Sequence, residues 1–308
     1  MTIRRGVLAG LLAALAVSPG LAAPPQPGLA QRLLAVDRAT AWTPAGTISV
    51  QFNTFHPQGM VRIGQDFFVS AVEVRRAPAR YPKPQDGHDR NAGAGVGHLF
   101  RISADGALLA DLILGEGDAY HPGGIDYDGR FIWVPVAEYR PDSRAIIYRV
   151  DPATMTATEV IRAADHIGAV THDAATGRLH GVSWGGRRFY NWRLSRGRVS
   201  KPTVTPNHAN YIDYQDCHGL GGRRVLCSGL ASYRGPGLGP AFALGGWEIV
   251  DLVDHRPVWQ APIQLWTPAG RPMTQNPFFA EATPSGVRAW FMPDDNRSTI
   301  YVYDAVVP

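Results

Sequence analysis

The sequence predicts an all-β, five-bladed β-propeller closed by its own N-terminal strand, and three observations carry that reading. Glycine and proline, 34 and 25 of 308 residues, are spread along the chain rather than clustered, which suits many turns and few long helices. Residues 56–75 lie over residues 121–140 at an ungapped offset of 65 with seven identities: His56/His121, Pro57/Pro122, Gly59/Gly124, Gly64/Gly129, Val69/Val134, Glu73/Glu138 and Arg75/Arg140. Chance would supply about one or two, so the segment is duplicated. Weaker copies follow at 166–184, 214–230 and 275–294, each with two strand-like runs around a glycine-containing turn.

Taken in order, residues 1–23 read as a secretory signal peptide. Arg4 and Arg5 precede an apolar stretch, Gly6–Val17, and small residues at Leu21-Ala22-Ala23 offer cleavage after Ala22 or Ala23. That stretch is too short to span a bilayer and no later run is longer, so no membrane span is expected and the mature chain should be periplasmic or secreted. Residues 24–45, rich in Ala and Pro with an amphipathic stretch at Leu29–Val36, form an ordered lead-in, and residues 46–308 form a single propeller domain. An orphan strand, Thr47–Phe52, precedes the first unit. Third strands follow at 100–103, 148–151, 189–192, 248–251 and 301–304, and fourth strands at 108–114, 158–161, 199–204 and 258–265. The fifth unit runs out of chain at Pro308, so the N-terminal strand is expected to complete its sheet and remove an exposed edge. A six-bladed propeller and a β-sandwich are the alternatives; a sandwich has no need of five similar units.

The repeat also places the polar residues. Blade strands run up and down with the innermost first, so the start of the first strand and the end of the second share one face. His56, His121 and His166 open first strands, and Glu73 and Glu138 close second strands. Tyr214-Gln215-Asp216 and Gln275-Asn276 take the opening position in the later units, while Trp184, Ser228 and Asp294-Asp295 reach the same rim. Two long loops, 76–96 with His88, Asp89 and Arg90, and 231–245 with Tyr233 and Arg234, flank that face, as functional walls often do.

Imidazoles with carboxylates suit either a divalent metal or acid–base work near neutral pH. The expected assignment makes His56, His121 and His166 metal ligands and Glu73 and Glu138 proton carriers. Arg75, Arg140, Trp184, Gln215, Gln275 and Asn276 would bind a small polar ligand, and hydrolysis is the expected reaction. The competing reading is a non-catalytic ligand- or protein-binding propeller, in which His-Pro-x-Gly is a structural corner and each Glu is tied to Arg75 or Arg140. No His-Glu-x-x-His and no Gly-x-Ser-x-Gly occurs, and Asp126-Tyr127-Asp128-Gly129 lacks the distal glutamate of a calcium loop and reads as a turn. A formal charge of +4 without basic runs leaves no footprint for nucleic acid, and a monomer is expected.

Cys217 and Cys227 are the only cysteines. A tight turn around Gly221-Gly222 sets them opposite each other across a hairpin, and in an exported chain this favours a disulfide over two buried thiols. Of their neighbours Asp216 and His218, Asp216 is expected to face the axis.

His-Pro-Gly-Gly-Ile-Asp-Tyr-Asp-Gly-Arg with Trp-Val-Pro-Val-Ala-Glu-Tyr-Arg (within 121–140), Tyr-Ile-Asp-Tyr-Gln-Asp-Cys-His (211–218) and Met-Thr-Gln-Asn-Pro-Phe (273–278) resemble an exported bacterial and fungal β-propeller family of unknown function. The resemblance covers most of the mature chain. It implies the propeller and implies no activity, because fold alone does not choose among lactonases, glycosidases and binding scaffolds.

Overall fold

The computed structural model describes residues 28–234 and 242–307. The expected signal peptide, 1–23, lies outside the described residues, as does 235–241 of the second long loop. Five antiparallel sheets follow one another around an axis. Blade one comprises His56–Ile63, Asp66–Arg76, Ala94–Ile102 and Leu108–Leu114. Blade two has a first strand broken into Ala119–Pro122 and Asp126–Tyr127, then Ile132–Glu138, Ala145–Asp151 and Thr156–Ala163. Blade three runs Ile167–Asp173, Arg178–Ser183 and Arg188–Ser195, with an outer strand in two pieces, Arg198–Val199 and Thr203–Pro206. Blade four contains Asp213–Gly221, Arg224–Tyr233, Phe242–Asp251 and Arg256–Ile263. In blade five, Phe278–Thr283, Gly286–Phe291 and Thr299–Val306 accept Trp42–Ser49 as the outermost strand.

The N-terminal strand therefore closes the ring, and the blades number five, not six. Its extent differs from the sequence expectation. It begins at Trp42, opposite Ala305, and ends at Ser49, while Phe52 leaves the sheet to pack edge-on against Phe100 of blade one at 5.0 Å. Pro44 is tolerated because an outermost strand need not donate on its free side. The lead-in forms a short helix, Leu29–Leu33, whose Leu33 joins the seam between blades four and five. That seam is centred on the fully buried Trp247, contacted by Trp42, Phe278 and Phe291 at 5.4–5.9 Å. Sheet faces that are apolar on both sides can be buried only by stacking against neighbours, which is why a single unit of this repeat could not stand alone.

The duplication is visible in the register. His56 pairs with Val72 and His121 with Ala137, the same pairing shifted by 65 residues; a register irregularity falls just after His56 in blade one and just before His121 in blade two. The glycine of His-Pro-x-Gly has a packing cause. A Cβ at Gly59 would sit 2.5 Å from the Ile125 nitrogen, and one at Gly124 would sit 2.6 Å from an Asp216 carboxylate oxygen. Inner strands thus meet backbone to backbone, and the Gly124 N–H donates to the Gly168 carbonyl at 2.8 Å.

Asp216 lies at this crossing with no exposed surface. Its carboxylate accepts the N–H groups of Met60 (3.0 Å), Ile125 (3.1 Å) and Cys217 (3.0 Å), so one side chain fastens blades one, two and four. Asp216 faces the axis as expected, and so does His218, because residues two apart on a strand share a face. His218 lies 3.5 Å from both Asp216 and Asp126, and its Nε2–H donates to the Phe278 carbonyl of blade five at 2.9 Å. Burial opposes a charge on His218, but Asp216 and Asp126 outweigh it and push its pKa up to about 10.

Candidate functional site

At the end of the axis where first strands begin, three imidazoles stand in a row. The His56 and His121 rings are 6.4 Å apart and the His121 and His166 rings 6.1 Å, so the middle ring approaches both others. His56 comes from the start of blade one, His121 from the broken first strand of blade two, and His166 from the residue just before blade three. The repeat fixes this convergence, since each histidine occupies the same place in its unit.

The three rings have different surroundings. His56 is half-buried, and its Nδ1 bonds the Asp295 carboxylate at 2.8 Å. Since a carboxylate only accepts, that nitrogen carries a proton, and in the neutral ring Nε2 is the one with the lone pair. His166 is 4% exposed and its Nδ1–H donates to the backbone carbonyl of Glu138 at 2.8 Å, which again leaves Nε2 as the acceptor. His121 is 5% exposed, and neither of its buried ring nitrogens has a hydrogen-bond partner. Burial, reinforced by His166 and His56, holds His121 well below the usual histidine pKa, and burial also lowers that of His166. Both rings are neutral at physiological pH.

Aromatic and charged groups wall the row. Tyr139 stacks on His121 at 4.0 Å and tilts toward Trp184 at 5.9 Å, while Trp184 meets His166 edge-on at 4.8 Å. The long loop of blade one folds into a hairpin of Arg80–Gln85 and His88–Arg90, and it carries the Arg90 guanidinium to 5.4 Å above the Trp184 ring. A cation over an indole face is an attractive arrangement. The Asn276 amide donates to the same Asp295 oxygen at 3.2 Å, and Arg271 lies 3.8 Å from the other oxygen. Burial works against its charge, but His56 and Arg271 keep its carboxyl below the ordinary value.

Of the residues expected at the site, His56, His121, His166, Trp184 and Asn276 come together. The two repeated glutamates are otherwise engaged. Glu138, 1% exposed, accepts bidentate forks from Arg140 (2.6 and 2.7 Å) and Arg144 (both 2.7 Å). These guanidiniums overcome the effect of burial and lower its pKa. Glu73 pairs with the exposed Arg75 at 3.0 Å. Arg75, Gln215 and Gln275 take no part in the ring contacts and hydrogen bonds that define the mouth among the described residues. Asp295 partners His56 although the sequence marked it only as a rim residue; its signal was its place at the end of the second strand of the fifth unit. Arg144, which closes the second fork on Glu138, had no sequence signal, because nothing in the repeat corresponds to it.

Among the described residues, no group of three or more His, Cys, Asp or Glu side chains lies close enough together to hold one metal ion. The donor chemistry nevertheless suits one, since metal-binding imidazoles commonly donate Nδ1–H to a carboxylate or carbonyl, as His56 and His166 do. Below the mouth, Cys217 and Cys227 are directly paired across the hairpin and joined in a disulfide, with Cα atoms 4.1 Å apart. No helix among the described residues is long and apolar enough to cross a membrane.

Comparison with solved structures finds propellers at low identity. A candidate gluconolactonase is similar at 15% identity and a TM-score of 0.47, over 93% of this chain and 98% of that one. The WD40 repeats of RRP9 are similar at 9% identity and a TM-score of 0.42, over 87% and 86%. Hydrazine synthase from Kuenenia stuttgartiensis follows at 13% identity and a TM-score of 0.37; the match covers 82% of this chain and 59% of that longer one. These are likenesses of architecture with no bearing on activity. No curated protein matches the sequence. Residues 22–308 match a family of unknown function, DUF6454, and the chain belongs to that family.

Proposed function

We propose that the mouth binds a small polar molecule and hydrolyses it, with His56 as general base and Asp295 as the carboxylate that orients it. The observation that supports this most is His121, a buried imidazole with two unpartnered nitrogens between two further imidazoles. A buried polar group without a partner costs about 1–3 kcal/mol, and a bound ligand would remove that penalty. With its Nδ1–H held by Asp295, His56 offers Nε2 to take a proton from water. The neutral His121 donates from one ring nitrogen to the polarised oxygen of the substrate. Arg90, whose Nε–H and Nη2–H are already given to Asp89 at 2.8 Å, stands with Trp184 and Tyr139 around the place of a planar polar group such as an ester or related acyl function. Glu138 positions rather than reacts: its carboxylate, tied to Arg140 and Arg144, fixes the strand end whose carbonyl orients His166.

A second reading has a specific observation in its favour. His56 and His166 both have Nδ1 tethered, and His121 lies between them, so a divalent cation would take these three imidazoles as ligands by drawing them closer together than they now stand. Bound there, it would polarise a carbonyl or activate water. In either reading the protein works outside the cytoplasm as a monomer, a placement supported by its disulfide.

Turnover of a panel of small chromogenic esters by the wild type and His56→Ala, with elemental analysis of both and of His121→Asn, tests the readings. The first expects turnover that falls by about 100-fold or more in His56→Ala. A cation retained by the wild type and lost from His121→Asn supports the second reading. No turnover and no cation in any of the three proteins overturns both and leaves His-Pro-x-Gly as a structural corner.

A further inference from the structure

A groove of about 300 Å³ opens between blades three and four, where first strands end and second strands begin, on the face away from the mouth. Asp173, Thr176 and Arg178 line it from the turn of blade three, His180 and Asn191 from the strands that follow, and Arg223 from the hairpin turn of blade four. Neither arginine has an ion-pair partner among the described residues. Arg178 bonds only the neutral Asn191 side chain, at 3.1 Å. Asp173, the one acid in the groove, has its oxygens taken up by its own turn, through Ala175 N–H (3.0 Å), Thr176 N–H (3.3 Å) and the Thr176 hydroxyl (2.7 Å).

His180 lies against the groove at 8% exposure, with a buried Nδ1 that has no hydrogen-bond partner. Burial pulls its pKa down to about 4, so it is neutral and offers a donor without adding charge. Two guanidiniums against the single carboxylate of Asp173, whose charge its bonds to neutral donors leave in place, give a net positive surface next to a buried unpartnered imidazole. Guanidinium forks match the paired oxygens of phosphate and carboxylate. The volume suits a small molecule.

We propose that this groove is a binding site for a small oxyanion of the phosphate or carboxylate class, gripped by Arg178 and Arg223 and bonded by Asn191 and His180. It is separate from the mouth and independent of what the mouth does.

Calorimetric titration of the full-length protein with inorganic phosphate and, separately, with malonate tests this and tells the two sources apart. Saturable binding in the millimolar range or tighter is expected for at least one probe, weakening by about tenfold in Arg223→Gln and further in the Arg178→Gln/Arg223→Gln double variant. Added NaCl should weaken it too, because both guanidiniums are exposed. His121→Asn, altered only at the mouth, should bind like the wild type. Both arginines are solvent-facing, so the double variant should keep its far-ultraviolet circular dichroism spectrum. The absence of saturable heat with either probe, or wild-type affinity in the double variant, overturns the proposal.

Discussion

Replacing Asp216 by alanine removes an acceptor shared by three blades where the inner strands cross. The N–H groups of Met60, Ile125 and Cys217 lose their partner, and His218 loses one of the two carboxylates that keep it charged. Each unmet buried donor costs about 1–3 kcal/mol, and an uncompensated buried charge about 3–5 kcal/mol. These losses overlap, because relaxation around one relieves the others, so the expected loss is about 4–6 kcal/mol. That is a large part of the 5–15 kcal/mol typical of a domain. Asp216→Asn keeps the size and one carbonyl oxygen, which serves the two N–H groups now bonded to Oδ1, and should lose about half as much. Urea unfolding followed by the fluorescence of the 8 tryptophans reads both values. If the alanine variant cannot be purified, the asparagine variant carries the test. A loss of less than about 1 kcal/mol in either variant would show that the blades do not depend on this carboxylate and would refute the reasoning.

Three further outcomes are expected. His218, raised to about 10 in the folded state, contributes stability that is present below about pH 6.5 and is lost as pH rises toward 10, so unfolding midpoints should fall across that window and fall less in His218→Gln. His121 and His166 have lowered values, so the unfolded chain takes up protons first; stability should drop as pH falls below about 6.5, and the drop should shrink in His121→Asn. The Cys217–Cys227 bridge closes a loop with a sequence separation of 10, for which chain entropy gives roughly 2–3 kcal/mol. The Cys217→Ser/Cys227→Ser pair should lower the urea midpoint accordingly, and an unchanged midpoint would mean that the hairpin ladder alone holds these strands.

The fold was legible because it repeats. An offset of 65 residues between His56 and His121 is carried unchanged into the strand register, so counting blades in the sequence amounted to counting them in space. Strand limits were less legible. Trp42–Gly46, with its proline and glycine, lacks an alternating pattern because the outermost strand is mostly solvent-exposed, and its pairing with Val302–Ala305 is visible only once the ring closes. At the mouth, the histidines could be placed from sequence since their positions follow the repeat. The role of the glutamates could not: Arg144, which completes the cage around Glu138, lies six residues on, in a connection whose length and sequence differ from those of the other units. Pairing of His56 with Asp295 was hidden for a different reason, because it joins the first and last blades across ring closure. Cys217 and Cys227, by contrast, are bridged by one short hairpin, and local turn geometry was enough.

Three imidazoles meet at one end of the axis, two with Nδ1 tethered and one buried without a partner, and all else said of the mouth depends on them. Proton–nitrogen correlation spectra of protein labelled with ¹⁵N-histidine, recorded across the acid range, test this arrangement most directly. His56 and His166 should show a proton on Nδ1, and His121 should stay neutral well below pH 6.5, with its shifts changing when a ligand or cation enters the mouth. A His121 that titrates like a free histidine, with His56 and His166 in mixed tautomers, would contradict it.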